Sequence, residues 1–203
     1  KTLLIEEDTL IIITSDHGET LNEHQCWYDH HGLYEHNLVV PLILKYPGKL
    51  PEGKRISDVT LIKDIMPTVL DLIGIETDIS FDGQNLVPII NGDRDDIEKV
   101  SEFYITECTW MRKHGWRTPE WKLIRALEPD IHFKAEIELY NLIKDPLELN
   151  NLVDEEPQIV NLLLGRMDAY IAKRELETGR TNPMYTNLNW HGLDRGPFKT
   201  SQE

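Results

Sequence analysis

The chain has 203 residues and carries 36 acidic against 21 basic side chains, a net charge of −15. That length suffices for one large domain, or a domain with a small companion, and a sizeable core. The acidity excludes a general nucleic-acid binder, because a phosphate backbone would be repelled, and no apolar run approaches the roughly 18 residues of a bilayer span.

The opening KTLLIEEDTL has no initiator Met, basic region or cleavage site and reads as a helix end running into a strand. The sequence therefore predicts a C-terminal portion of a longer chain, and localisation is unreadable. Thr9 to Thr14 is continuous apolar and β-branched, which predicts a strand buried on both faces. It runs into Ser15-Asp16-His17-Gly18, polar groups at a strand's carboxyl end, where open α/β sheets place ligands. Leu38 to Lys45, with Pro41 inside, predicts a second strand. Asp64 to Ile73 predicts a helix with Asp64 as its cap, Pro67 in its first turn and Gly74 at its end.

The polar run NGDRDD, residues 91 to 96, marks a boundary. Beyond it, Glu102–Thr109, Trp121–Ala126 and Glu136–Leu142 predict a small antiparallel sheet, with Trp121, Tyr140, Asp145 and Pro146 organising it. Ile159 to Leu176 carries Ile159, Leu162, Leu163, Met167, Tyr170 and Ile171 at helical spacing. The expected organisation is an α/β domain over residues 1–95, a small antiparallel-sheet and helix subdomain over 96–177, and an irregular tail over 178–203. In the tail, Trp190 and His191 are candidates to reach a site mouth, and Trp190 and Arg195 to contribute to ligand choice. Cys26 and Cys108 make no disulfide framework and read as two buried free thiols.

Five of the eight histidines, His17, His24, His30, His31 and His36, fall between residues 11 and 37. A zinc-protease motif fails on spacing: position 21 is Leu21 rather than His, and the reversed motif meets Thr20. Asp16 and His17, a carboxylate beside an imidazole, suit a hard or borderline divalent cation such as Ca²⁺, Mg²⁺ or Mn²⁺, but two ligands do not complete any such site. Glu23 and His24 read as loop-bracing groups and His36 as a surface or strand-edge residue. Gly18 reads as a point of close backbone approach or positive φ.

TLIIITSDHGETLNEH and DHHGLYEHNLVVPLILKYPG resemble the C-terminal half of the sulfatase family, within the alkaline phosphatase superfamily. DIMPTVLDLIGI, FDGQNLVPIINGD, and WKLIR with ELYNLIKDPLELNNL continue the resemblance in order, over about residues 9 to 155. It implies an alkaline-phosphatase-like mixed sheet flanked by helices, and hydrolysis of a small sulfated substrate. It implies Asp16 and His17 as the late half of a site for one divalent cation, usually Ca²⁺. It places His30 where many relatives have a lysine that contacts the sulfate and the leaving oxygen, with His31 the competing choice one residue away. Val39 stands where the family has an Arg.

The family's nucleophile, a formylglycine made from Cys or Ser, sits in a segment that these residues do not contain. The resemblance therefore implies a missing N-terminal part as an obligate partner and an inactive chain without it. Membrane and nucleic-acid partners are not expected. Phosphodiesterases and phosphonate monoester hydrolases carry similar late motifs and remain an alternative, as does a non-catalytic relative acting as a binding module.

Overall fold

The computed structural model describes residues 5–26, 28, 30–93, 100–108, 111–130 and 132–186. In chain order its strands and α-helices are β1 (Ile11–Thr14), α1 (Glu35–Leu38), β2 (Leu42–Lys45), α2 (Ile65–Leu72), α3 (Val87–Asn91), β3 (Phe103–Glu107), β4 (Lys113–Arg117), β5 (Trp121–Ala126), β6 (Ile137–Asn141), α4 (Pro157–Thr178) and α5 (Pro183–Thr186). They fall into two units. One comprises Lys1–Asp16 and Val40–Ser101, the other His17–Val39 and Glu102–Glu203. The sequence placed residues 1–95 together, but the segment 17–39 belongs to the second unit. The cause is packing: Cys26, Leu33 and Tyr34 share one apolar cluster with Ile105, Ile124 and Tyr140.

In the first unit β1 and β2 pair antiparallel, from Ile11 opposite Lys45 to Thr14 opposite Leu42. β2 begins directly after Pro41, whose missing N–H cannot join a ladder. Burial of β1 on both faces does not hold here: Ile11 and Ile13 are 39% and 54% exposed, because β2 is its one partner among the described residues. Leu86, Ile89 and Ile90 form the local core, with Leu42, Leu44, Leu50 and Ile56 against it. Asp64 does not cap α2 with its side chain. It is buried, and its carboxylate accepts the N–H groups of Leu61 (2.8 Å) and Gln84 (2.9 Å), fastening the following loop to the helix start. Gly74 ends the helix at φ +73°, as its sequence position requires.

The second unit is built on a four-stranded antiparallel sheet, β3-β4-β5-β6. The sequence predicted three of these strands and missed β4, whose Lys113, His114, Gly115 and Arg117 lack a strand's apolar signature. One face of the sheet presents Trp116, Leu123 and Leu139 to Val160, Leu163, Met167 and Ile171 of α4. Leu162, read as part of that stripe, is 49% exposed. α4 begins at a proline suited to a first turn and ends at Gly179, φ +65°. The opposite face carries Ile105, Lys113, Lys122, Ile124, Glu138 and Tyr140, alternate positions by register. The histidine-rich segment lies on that face. Part of the predicted irregular tail forms α5, whose Met184 is buried; Trp190, His191 and Arg195 lie outside the described residues.

Among the described residues no helix is long and apolar enough to cross a membrane. Cys26 is buried and Cys108 half-buried.

Candidate functional site

The geometry of the site starts at α1. The main-chain carbonyl of Asn37 accepts the N–H of Gly18 (2.8 Å), and its side-chain amide donates to the carbonyls of His31 (2.6 Å) and Gly32 (3.2 Å). One buried asparagine thus ties together the segments that carry His17 and His30. Gly18 is needed for the first of these ties. A Cβ there would sit 1.8 Å from the His36 carbonyl oxygen, so close backbone approach, not positive φ, explains the glycine.

The result is a cluster. The His17 and His30 rings stack with centroids 4.4 Å apart. A ligand atom from each of His17, Glu19 and His30 lies within 4.8 Å of the other two, so these three could jointly hold a metal ion. His17 Nδ1 lies 2.6 Å from the Gly18 carbonyl oxygen. A carbonyl only accepts, so Nδ1 carries the proton and the ring's lone pair is on Nε2. Asp16, next in sequence to His17, is exposed, and the Ser15 hydroxyl lies 3.4 Å from its Oδ1.

His31 goes elsewhere. It is buried, with Nδ1 3.5 Å from Glu107 Oε1 and its ring 5.6 Å from that of His132. The structure therefore separates the two candidate histidines: His30 joins His17 and Glu19, while His31 faces the sheet.

Of the two bracing groups, Glu23 holds the loop by hydrogen bonds, as its sequence reading has it, whereas His24 does so by its ring. The Glu23 carboxylate accepts the N–H groups of Leu21 and Asn22, which hold its carboxyl down at about 2. His24 braces by its ring, stacked on Tyr34 at 3.7 Å and near parallel. Burial, with His36 and the lysines Lys134 and Lys122 adding to it, lowers the His24 imidazole to about 4. His36 is neither a surface nor a strand-edge residue: it lies half-buried in α1, stacked on His24 at 5.2 Å.

Beneath the loop lies a charged layer that the sequence did not disclose. Lys122 is fully buried and pairs with Glu148 (2.7 Å) and Glu35 (2.8 Å). Lys113 pairs with Asp130 and lies 3.6 Å from Glu138. Glu138 accepts the hydroxyls of Tyr34 (2.8 Å) and Tyr140 (2.6 Å), and burial beside this carboxylate pushes both phenols well up. No local sequence signal marks Lys113, Lys122 or Glu107 as buried, because their partners are distant in the chain.

Residues 22–173 match the family described as N-sulphoglucosamine sulphohydrolase, C-terminal. The chain belongs to the sulfatase family. An N-acetylglucosamine-6-O-sulfatase of Bacteroides thetaiotaomicron is 33% identical over 156 residues, covering 72% of this chain and 26% of its own length. A sulfatase-family chain of this kind thus spans about a quarter of that curated relative. A solved protein in complex with its substrate D-glucosamine-2-N,6-O-disulfate superposes with a TM-score of 0.71 at 26% identity, over 89% of this chain and 36% of that one. The phosphonate monoester hydrolase of Agrobacterium radiobacter gives 0.62 at 25% identity, over 84% and 36%.

Proposed function

We propose that the full-length protein hydrolyses a sulfate ester, with a sulfated amino sugar as the substrate class. The observation that carries the reading is the convergence of His17, Glu19 and His30 inside the family-matched segment. The substrate class follows the sulfatase relatives, among them the protein bound to a disulfated glucosamine.

His30 acts on the departing oxygen. An imidazole donates a proton near neutral pH, and as imidazolium it stabilises an anion. His31 has no part in this reading, because it is buried against Glu107. Asn37 and Gly18 hold His17 and His30 in place before substrate arrives. The nucleophile comes from sequence beyond these residues, which lack the family's nucleophile segment.

The donor types of Asp16, His17 and Glu19 support a divalent cation. Asp16 and His17 would hold it, with Glu19 within reach of His17. The His17 Nδ1 proton, directed at a backbone carbonyl, fixes the tautomer that a ligand nitrogen needs. Ca²⁺ is the ion implied by the resemblance, with Mg²⁺ or Mn²⁺ as alternatives; when bound it would offset charge on the sulfuryl oxygens. If His30 were itself a ligand, two imidazoles to one carboxylate would favour a borderline ion over Ca²⁺. Metal analysis of the full-length protein with and without Asp16→Ala tests the assignment; an unchanged metal content refutes it.

The likeness to a phosphonate monoester hydrolase supports a second reading, hydrolysis of a phosphodiester or phosphonate monoester. Full-length protein assayed on an aryl sulfate and an aryl phosphodiester decides between them. The sulfate is expected to turn over faster, and His30→Ala to lower kcat by about 10²–10⁴ with little change in KM. Cleavage of the phosphodiester alone refutes the sulfatase reading, and no turnover of either refutes both.

A further inference from the structure

Among the described residues, a carboxylate from the sheet holds the turn that carries His30. Glu107, at the end of β3, accepts the Gly32 N–H through Oε2 at 2.8 Å, across 75 residues of sequence. Its Oε1 lies 3.5 Å from His31 Nδ1, and both side chains are buried, 8% and 1% exposed. A hydrogen bond from a backbone N–H to a buried carboxylate is among the stronger kinds. Gly32 is at φ +89°, and a Cβ there would meet the Tyr34 ring at 2.8 Å, so the turn has little freedom of its own. Asn37 grips the same two residues by their carbonyls, from within the loop. Glu107 therefore ties the sheet to the peptide two residues beyond His30.

We infer that Glu107 is a positioning residue for His30, acting through the His31–Gly32 turn. This rests on the reading of His30 given above. Displacing a reacting group by about 1 Å costs on the order of 100-fold in rate, so loss of the tie acts on kcat and leaves ground-state binding nearly intact. Glutamine keeps a carbonyl oxygen for the Gly32 N–H and lacks only the charge, so it preserves the tie.

The test is a double-mutant cycle in the full-length protein, with an aryl sulfate as probe and the folded fraction checked by thermal melting. Glu107→Ala is expected to lower kcat about 10- to 100-fold with KM within about threefold. Glu107→Gln is expected to stay within about threefold of the parent. In a His30→Ala background, Glu107→Ala is expected to cost nothing further. A structural role would lower kcat by the same factor in both backgrounds, which overturns the proposal, as does a Glu107→Ala enzyme within twofold of the parent. The two readings fail separately. If His30→Ala loses activity and Glu107→Ala does not, only the positioning role falls. If Glu107→Ala loses activity and His30→Ala does not, the leaving-group role of His30 falls and takes this route with it.

Discussion

Replacing Lys122 by Met removes the cation on which the loop and the sheet converge. Its ammonium group is fully buried, 2.7 Å from Glu148 and 2.8 Å from Glu35. Glu35 keeps Arg117 at 3.0 Å, so Glu148 is the group left without a counter-charge. Breaking a buried pair by removing one partner costs about 3–5 kcal/mol. For a chain of this length each kcal/mol moves the melting temperature by about 2–4 °C, so Tm should fall by about 6–20 °C.

Lys122→Met combined with Glu148→Gln should recover at least half of the loss. Glutamine carries no charge and still accepts the Glu35 N–H, which now binds Glu148 at 2.7 Å. Burial already raises the Glu148 carboxyl, and Lys122 opposes that rise. A carboxyl with a raised folded pKa holds its proton more tightly in the folded state. The deficit of the single variant should therefore grow as pH rises through that pKa and shrink as pH falls below it. The assay is thermal and urea unfolding of the full-length protein at several pH values, with and without 1 M salt. A Lys122→Met variant within about 0.5 kcal/mol of the parent, the range of ordinary surface substitutions, refutes the reasoning.

Two further stability predictions follow from the same unit. A Cβ at Gly115 would lie 2.1 Å from the Leu123 carbonyl oxygen and 3.2 Å from the Ile105 side chain, so Gly115→Ala should cost about 1–3 kcal/mol by overpacking; an unchanged urea midpoint refutes it. The unfolded His24 imidazole binds its proton from about pH 6.5 downward, and the folded one only near 4. Stability should thus be lost as pH falls from about 6.5 to 4, by about 1–2 kcal/mol for this partly exposed ring. Melting curves at pH 7.5 and 5.0 should show a steeper fall in the parent than in His24→Phe, and equal slopes refute it.

The sequence was legible where the physics is local. β5 was read to the residue, and the apolar stripe of α4 largely so, because period-2 and period-3.6 patterns are written in neighbouring side chains. The antiparallel arrangement of the small sheet followed from turn-separated strands. β4 was illegible because Lys113 and Arg117 have their acidic partners on other elements, and nothing beside them in the chain says so. The placement of residues 17–39 in the second unit was illegible for a related reason. Tyr34 looks like one aromatic in a polar loop until Glu138 and Tyr140 are seen beneath it. In the candidate site, Asp16 and His17 were named as a carboxylate beside an imidazole, and His30 only through the resemblance to the sulfatase family. Glu19 drew no role, Glu107 lies 75 residues from its hydrogen-bond partner, and only burial distinguishes His31 from His30.

The docking of residues 17–39 on the second unit also has a consequence for biosynthesis. The partners of Gly32, Tyr34 and Glu35 follow them by 75, 104 and 113 residues. At about 5–20 residues per second, the histidine segment waits roughly 4 to 23 s after synthesis for the surface that shapes it. During that interval Leu33, Tyr34 and Cys26, all buried in the finished fold, have no sheet to cover them. The most chemically specialised stretch of the chain is thus among its last to acquire a conformation, and on a nascent chain it is the stretch that a chaperone would meet.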